Sequence, residues 1–138
     1  MSIAISYTQQ TGGSTTYSVT FTQFTDDNLP ATYLEEGSFE FSQSGTAIRG
    51  GPARGPRKIW AISSVLTTAD SQTLDSLYKA WAADSGQGLS AVVELDDSTF
   101  GPSTVEVYAV ITTAPSFSMF GPRHYLCSIG LTEVGARP

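Results

Sequence analysis

The sequence predicts a mainly β domain with one helix, an α+β fold in which about seven antiparallel strands form a sandwich or barrel flanked by that helix. Three observations lead there. Apolar and polar residues alternate in segment after segment, the period of a half-buried strand. A single stretch, Leu74, Leu77, Tyr78 and Trp81, is spaced as one face of a helix instead. Hydrophobic residues are 40% of the 138 and charged residues 14%, enough apolar surface for one core without disulfides or structural metal. Residues 1–138 are therefore expected to form one domain.

Ile3 to Thr8 and Tyr17 to Phe24 read as an opening hairpin around Gly12 and Gly13, with Tyr17, Val19 and Phe21 opposite Ser18, Thr20 and Thr22. Asp26, Asp27, Asn28 and Pro30 form a turn cluster, since Asx side chains and proline favour chain reversal. Gly37 to Gln43 is a short strand with Phe39 and Phe41 on one face, and Lys58 to Ser64 a strand expected to be covered on both faces, with Trp60 and Ile62 on one and Ile59 and Ala61 on the other. Thr67 precedes Asp70 at capping-box spacing and opens the helix, which is expected to end near Asp84 with Gly86 and Gly88 supplying a left-handed cap.

Leu89 to Leu95 reads as an apolar strand and Asp96 to Ser103 as a turn. Thr104 to Thr112 is a strand with Val105, Val107, Ala109 and Ile111 on one face, and Tyr125 to Val134 is the last, with Tyr125, Cys127, Ile129 and Leu131 inward. The segment between them, APSFSMFGPRH, is expected to be irregular; Pro115 and Gly121-Pro122 bracket Phe117, Met119 and Phe120 and make them hard to bury. Gly-Pro-Arg occurs twice, each time before a strand, but three residues are too few to establish a duplication.

Thirteen acidic residues against seven Lys and Arg give a net charge of −6, which argues against holding nucleic acid by neutralising phosphates. A surface that DNA slides past is compatible with it. Four of the seven cations, Arg49, Arg54, Arg57 and Lys58, fall in one run, IRGGPARGPRK. Its two Gly-Pro steps are expected to keep it out of a helix or the middle of a sheet, so it reads as a projecting basic loop. The ordinary reading is a surface loop making ion pairs worth ~0 to 1 kcal/mol each. Clustering favours a contact with another copy, because guanidinium groups bind carboxylates bidentately, and Asp26-Asp27 or Asp96-Asp97 of a neighbour are natural receivers. A head-to-tail contact of that kind closes into a ring when the rotation permits. Phe117, Met119, Phe120 and Arg123 join the four cations as candidate subunit-interface residues.

The residues offer little chemistry, and no catalytic, metal or cofactor site is assigned. His124, the one histidine, lies beside Arg123 and lacks a nucleophile motif; it reads as a polar residue at a strand entrance. Cys127, the one cysteine, excludes an intrachain disulfide and reads as a small core residue. The pairs Asp26-Asp27, Glu35-Glu36 and Asp96-Asp97 read as solvated turn carboxylates without the spacing of a calcium loop. The glycine-rich run lacks the GK[ST] ending of a phosphate cradle. Trp60, Trp81 and Tyr78 allow a carbohydrate- or receptor-binding β-sandwich as the alternative function, although a core of sheet under helix accounts better for both tryptophans. The N-terminus lacks the cationic and apolar runs of a signal peptide, and no run approaches the ~18 to 20 apolar residues of a membrane span.

The order Arg57-Lys58-Ile59-Trp60-Ala61-Ile62, Leu66-Thr67, the Leu74 to Trp81 stripe, Gly86 and Gly88, then Val92-Val93-Glu94-Leu95-Asp96 resembles the bacteriophage tail-tube superfamily. The closing strand, Tyr125 to Val134, is also similar, so the resemblance spans roughly Arg49 to Val134. It implies a structural, non-enzymatic virion protein in a phage tail, assembled in the host cytoplasm without a membrane partner. It implies self-association into a ring, usually hexameric, around a channel through which genomic DNA passes without specific binding, in contact with other tail or baseplate proteins. The basic run takes the place of the family's long inter-strand loop. Its shortness favours a tube end, tube initiator or baseplate hub over the repeated tube subunit.

Overall fold

The computed structural model describes residues 2–24, 31–34, 38–41, 47–50, 57–99, 103–119 and 121–136. Among them are β1 (Ile3–Thr8), β2 (Thr16–Phe21), β3 (Ala31–Leu34), β4 (Ser38–Phe41), β5 (Ala47–Gly50) and β6 (Arg57–Thr67). Then follow α1 (Thr68–Gly86), β7 (Val93–Asp97), β8 (Val105–Met119) and β9 (His124–Ala136). The mainly β, one-helix architecture is the one expected. Seven strands form one antiparallel sheet in the order β2-β1-β7-β8-β9-β6-β3, while β4 and β5 pair with each other.

The sheet curls on itself. Beyond β2 the chain reaches β6, where Phe24 bridges Ser64, the Val65 amide donates to the Gln23 carbonyl at 3.0 Å, and the Ser64 hydroxyl donates to it at 2.9 Å. This makes a half-barrel, and α1 fills its concave side, a closer embrace than the flanking position expected. The sequence alternation explains why: Ile3, Ile5, Val19, Phe21, Trp60, Ile62, Val93, Leu95, Val107, Ala109, Ile129 and Leu131 all turn inward and are buried with Leu74 and Leu77 of the helix.

Both helix ends are capped by local chemistry. The Asp70 amide donates to Thr67 Oγ1 at 3.3 Å, the bond the capping spacing predicts, and the Thr68 amide is taken by the Arg123 carbonyl at 3.2 Å. At the other end the Gly88 amide donates to the Ser85 carbonyl and the Leu89 amide to the Asp84 carbonyl. Gly88 has φ 77, a left-handed conformation glycine adopts without a Cβ penalty, and the three features together are a Schellman motif.

Three expectations require correction. Ala114 to Met119 are not irregular; β8 runs through them to Met119, paired with β9 up to Met119–Tyr125. Pro115 is accommodated because it falls in a register shift between Thr113 and Ser116 on a stretch paired, among the described residues, with β9 alone. Gly130 permits the neighbouring shift, since a Cβ there would stand 2.8 Å from the Thr113 side chain. Second, Asp96 and Asp97 belong to β7 rather than a turn, and β7 starts at Val93 rather than Leu89.

Third, the basic run is not one loop. Arg49 lies in β5 and Arg57 and Lys58 open β6, with Arg54 and the rest of 51–56 outside the described residues. The pairings are nested: Ala31 to Leu34 pair with Trp60 to Arg57, and Ser38 to Phe41 with Gly50 to Ala47. The residues on either side of the Gly-Pro run are thus in paired strands. The expected Asp26 to Pro30 turn and the Glu35-Glu36 pair lie outside the described residues.

Candidate assembly surfaces

The convex face of the half-barrel carries the residues that alternate with the core. They are largely hydroxyl-bearing and pair across strands: Ser63 with Ser128 at 3.1 Å, Thr132 with Thr112 at 3.3 Å, and Thr8 with Thr16 at 2.9 Å. Glu94 stands beside Ser6 and opposite Tyr108, and Asp96 is in register with Glu106, so the β7–β8 part of the face is acidic. Cations among the described residues lie elsewhere, at Arg49 in β5, Arg57 and Lys58 at the start of β6, Lys79 on the helix and Arg123 after β8. Lys79 pairs with Asp75 one turn earlier at 2.9 Å.

The β8–β9 hairpin forms a second surface. β7 pairs with β8 only over Val105 to Ala109, so from Val110 to Met119 one edge of β8 is open among the described residues. Phe117 and Met119 are in register with Cys127 and Tyr125, which places them on the helix side of the sheet, yet Met119 is 79% exposed and Phe117 38%. Beneath them a cavity of about 330 Å³ opens between the hairpin and the first turns of α1, lined by Thr68, Ser71, Gln72, Asp75, Phe117 and Tyr125. Arg123, at φ 65, lies in the hairpin turn beside the exposed His124, whose Nδ1 is 3.1 Å from the Pro122 carbonyl. Phe120 lies outside the described residues. The structure thus gathers Phe117, Met119 and Arg123 on one hairpin and places Arg57 and Lys58 on another element.

Two buried carboxylates escaped the sequence reading. Asp97 is 1% exposed; its Oδ2 accepts the Trp60 indole N–H at 2.9 Å, and its Oδ1 accepts the Thr99 amide at 2.8 Å. It is a core acceptor and no receiver for a neighbour's arginine. Asp84, on the last turns of α1, is fully buried and accepts from the Tyr7 hydroxyl, the Gln10 amide at 2.9 Å and the Thr11 hydroxyl at 2.5 Å. The Thr11 and Tyr7 bonds hold its carboxyl below the usual range against the opposing effect of burial. Burial, reinforced by Asp84, pushes Tyr7 up to about 12.

Neither tryptophan forms an exposed platform. Trp60 is fully buried, and the half-buried Trp81 stacks on Tyr78 with centroids 6.1 Å apart while its indole donates to the Ala91 carbonyl. Cys127 is buried beside Ser71, as its alternation implied, and burial pushes its thiol up.

The architecture defines a class: a curled antiparallel sheet closed over one central helix. Its fold is similar to that of a chain from the tail of an empty GTA particle, computed with helical refinement and C6 symmetry, at a TM-score of 0.52 and 14% identity. The likeness covers 97% of this chain and 92% of that one. No protein-family model and no curated protein matches the sequence.

Proposed function

We propose that the chain is a structural, non-enzymatic protein of a phage-type tail that associates with copies of itself into a six-fold ring around a channel for DNA. The observation that carries this reading is the likeness of nearly the whole fold to a chain of a C6-symmetric tail. Two features support it. The open edge of β8, with Phe117 and Met119 exposed beside it, is the kind of surface a neighbouring copy covers. The convex face, hydroxyl-lined and acidic, suits a wall that DNA passes without adhering.

In this reading Arg49, Arg54, Arg57, Lys58, Phe117, Met119, Phe120 and Arg123 contact neighbouring subunits or other tail and baseplate proteins, in the virion and during assembly in the host cytoplasm. The nested pairings from Ala31 to Trp60 remove the short-loop argument against a repeated tube subunit, so tube end, initiator, hub and tube subunit are equally served. Native mass spectrometry and electron microscopy of the concentrated protein should show six-subunit rings. Monomer alone at every concentration, with no ring on mixing with tail partners, would overturn the reading. Reversing charge with Arg54→Glu and Arg57→Glu should weaken assembly and leave the monomer's thermal midpoint nearly unchanged; a large fall in that midpoint would mean the run is internal packing instead.

A further inference from the structure

Asp84 violates three local rules at once. It is a fully buried carboxylate, it sits near the C-terminal end of a helix where the macrodipole disfavours negative charge, and the last turn of that helix contains no basic residue. What compensates is a set of neutral donors from 73 to 77 residues earlier in the chain: the Tyr7 hydroxyl at the end of β1, and the Gln10 amide and Thr11 hydroxyl of the turn that follows it. The same turn is tied to the segment after the helix, because the Gln10 side chain donates to the Ser90 carbonyl at 3.0 Å and to the Tyr7 hydroxyl at 3.3 Å. The turn after β1 therefore closes on one charged group, and Ser90 of the segment after the helix is held to that turn through the Gln10 side chain.

We propose that Asp84 is a latch. It closes the β1–β2 turn and the segment after α1 over this end of the half-barrel, and its removal opens those two segments as one unit while the β6, β8 and β9 strands stay folded. The carboxylate suits the role because it accepts from several donors at once; an amide of the same size has one acceptor oxygen and brings two donors that meet only donors. Around it, the turn contributes the neutral Gln10 and Thr11, and the Gln10 side chain reaches on to the Ser90 carbonyl. The ionisable group facing it among the described residues is the Tyr7 phenol from β1.

The pH behaviour follows from the lowered Asp84 carboxyl. The latch is closed at and above the ordinary carboxylate value, and it opens only as pH falls through the lower folded one. This is an acid-resistant fastening.

Amide hydrogen exchange of the whole chain tests it, with Asp84→Asn and Thr11→Val compared against the natural sequence. Peptides from 9–15 and 84–91 should exchange about 10- to 100-fold faster in Asp84→Asn and less so in Thr11→Val, as expected for losing bonds to a charged acceptor. Peptides from β8 and β9 should keep their rates. Equal acceleration everywhere in either variant would make Asp84 an ordinary core residue and overturn the latch, as would unchanged rates at 9–15. If Asp84→Asn does not fold, Thr11→Val alone decides by the same pattern. In the natural chain, protection of 9–15 lost between pH 7 and 5, after correction for intrinsic rates, would also overturn it.

Discussion

The two ends of helix α1 are finished in opposite ways. At the C-terminal end a Schellman motif and the Asp84 network leave backbone and side-chain groups partnered, and the carboxylate at the centre is out of water. At the N-terminal end the β8–β9 hairpin carries an open edge, a cavity and the most exposed large apolar side chain among the described residues, Met119. The contrast teaches how differently one helix can be finished at its two ends. One end is completed by the chain's own donors, whereas the other leaves an edge and apolar side chains uncovered among the described residues, the surface proposed above for a neighbouring copy.

The comparison breaks most severely between the two ends. Leu77, fully buried midway along α1, holds both in place, and Leu77→Ala should cost about 2 to 5 kcal/mol in urea unfolding by combining lost transfer energy with a cavity. A loss below 1 kcal/mol would mean the helix is not the seat of the core.

An alkaline titration sharpens the closed end. Tyr7 ordinarily ionises near 10 and is pushed up to about 12 by burial and by Asp84, so its stabilising contribution is whole below pH 10 and declines as pH rises toward 12. Over that interval the natural chain should lose stability, and Tyr7→Phe should flatten that part of the profile. Parallel pH profiles for both proteins would contradict the assignment.

The smallest expected change in monomer stability is at the open end. Replacing Met119 by serine should alter unfolding by less than about 1 kcal/mol, because that side chain is already 79% exposed. Sedimentation of the same variant should show loss of self-association. A large fall in monomer stability with association intact would reverse the roles of the two ends.

Much of the framework was legible because it rests on local periodicity. Alternation gave the sets that share a face in β2, β8 and β9, and Thr67, Asp70 and Gly88 marked the helix ends before any packing was known. For β6 it grouped Trp60 with Ile62, but the expected cover on the opposite face is missing, since Ala61 there is exposed. Asp84 and Asp97 were not legible. A buried carboxylate is made possible by donors distant in sequence, and Tyr7 is 77 residues from Asp84. Pro115 misled for a related reason: a proline excludes a central strand, and nothing local says that its strand has a free edge. Of the candidate contacts, proximity in sequence kept Phe117, Met119 and Arg123 together, but the basic run divided between two strands because each flank found a pairing partner upstream, Phe39 for Arg49 and Leu34 and Tyr33 for Arg57 and Lys58.

The nested pairing of β3 with β6 and of β4 with β5 also bears on how this chain tolerates change in length. Adding one residue to each of β4 and β5 lengthens their paired ribbon by about 3.4 Å and leaves the β3–β6 register untouched. Insertions and deletions between Leu34 and Arg57 are thus a means of setting reach independently of the body, and paired insertions of graded size offer a ruler for whatever distance this ribbon spans.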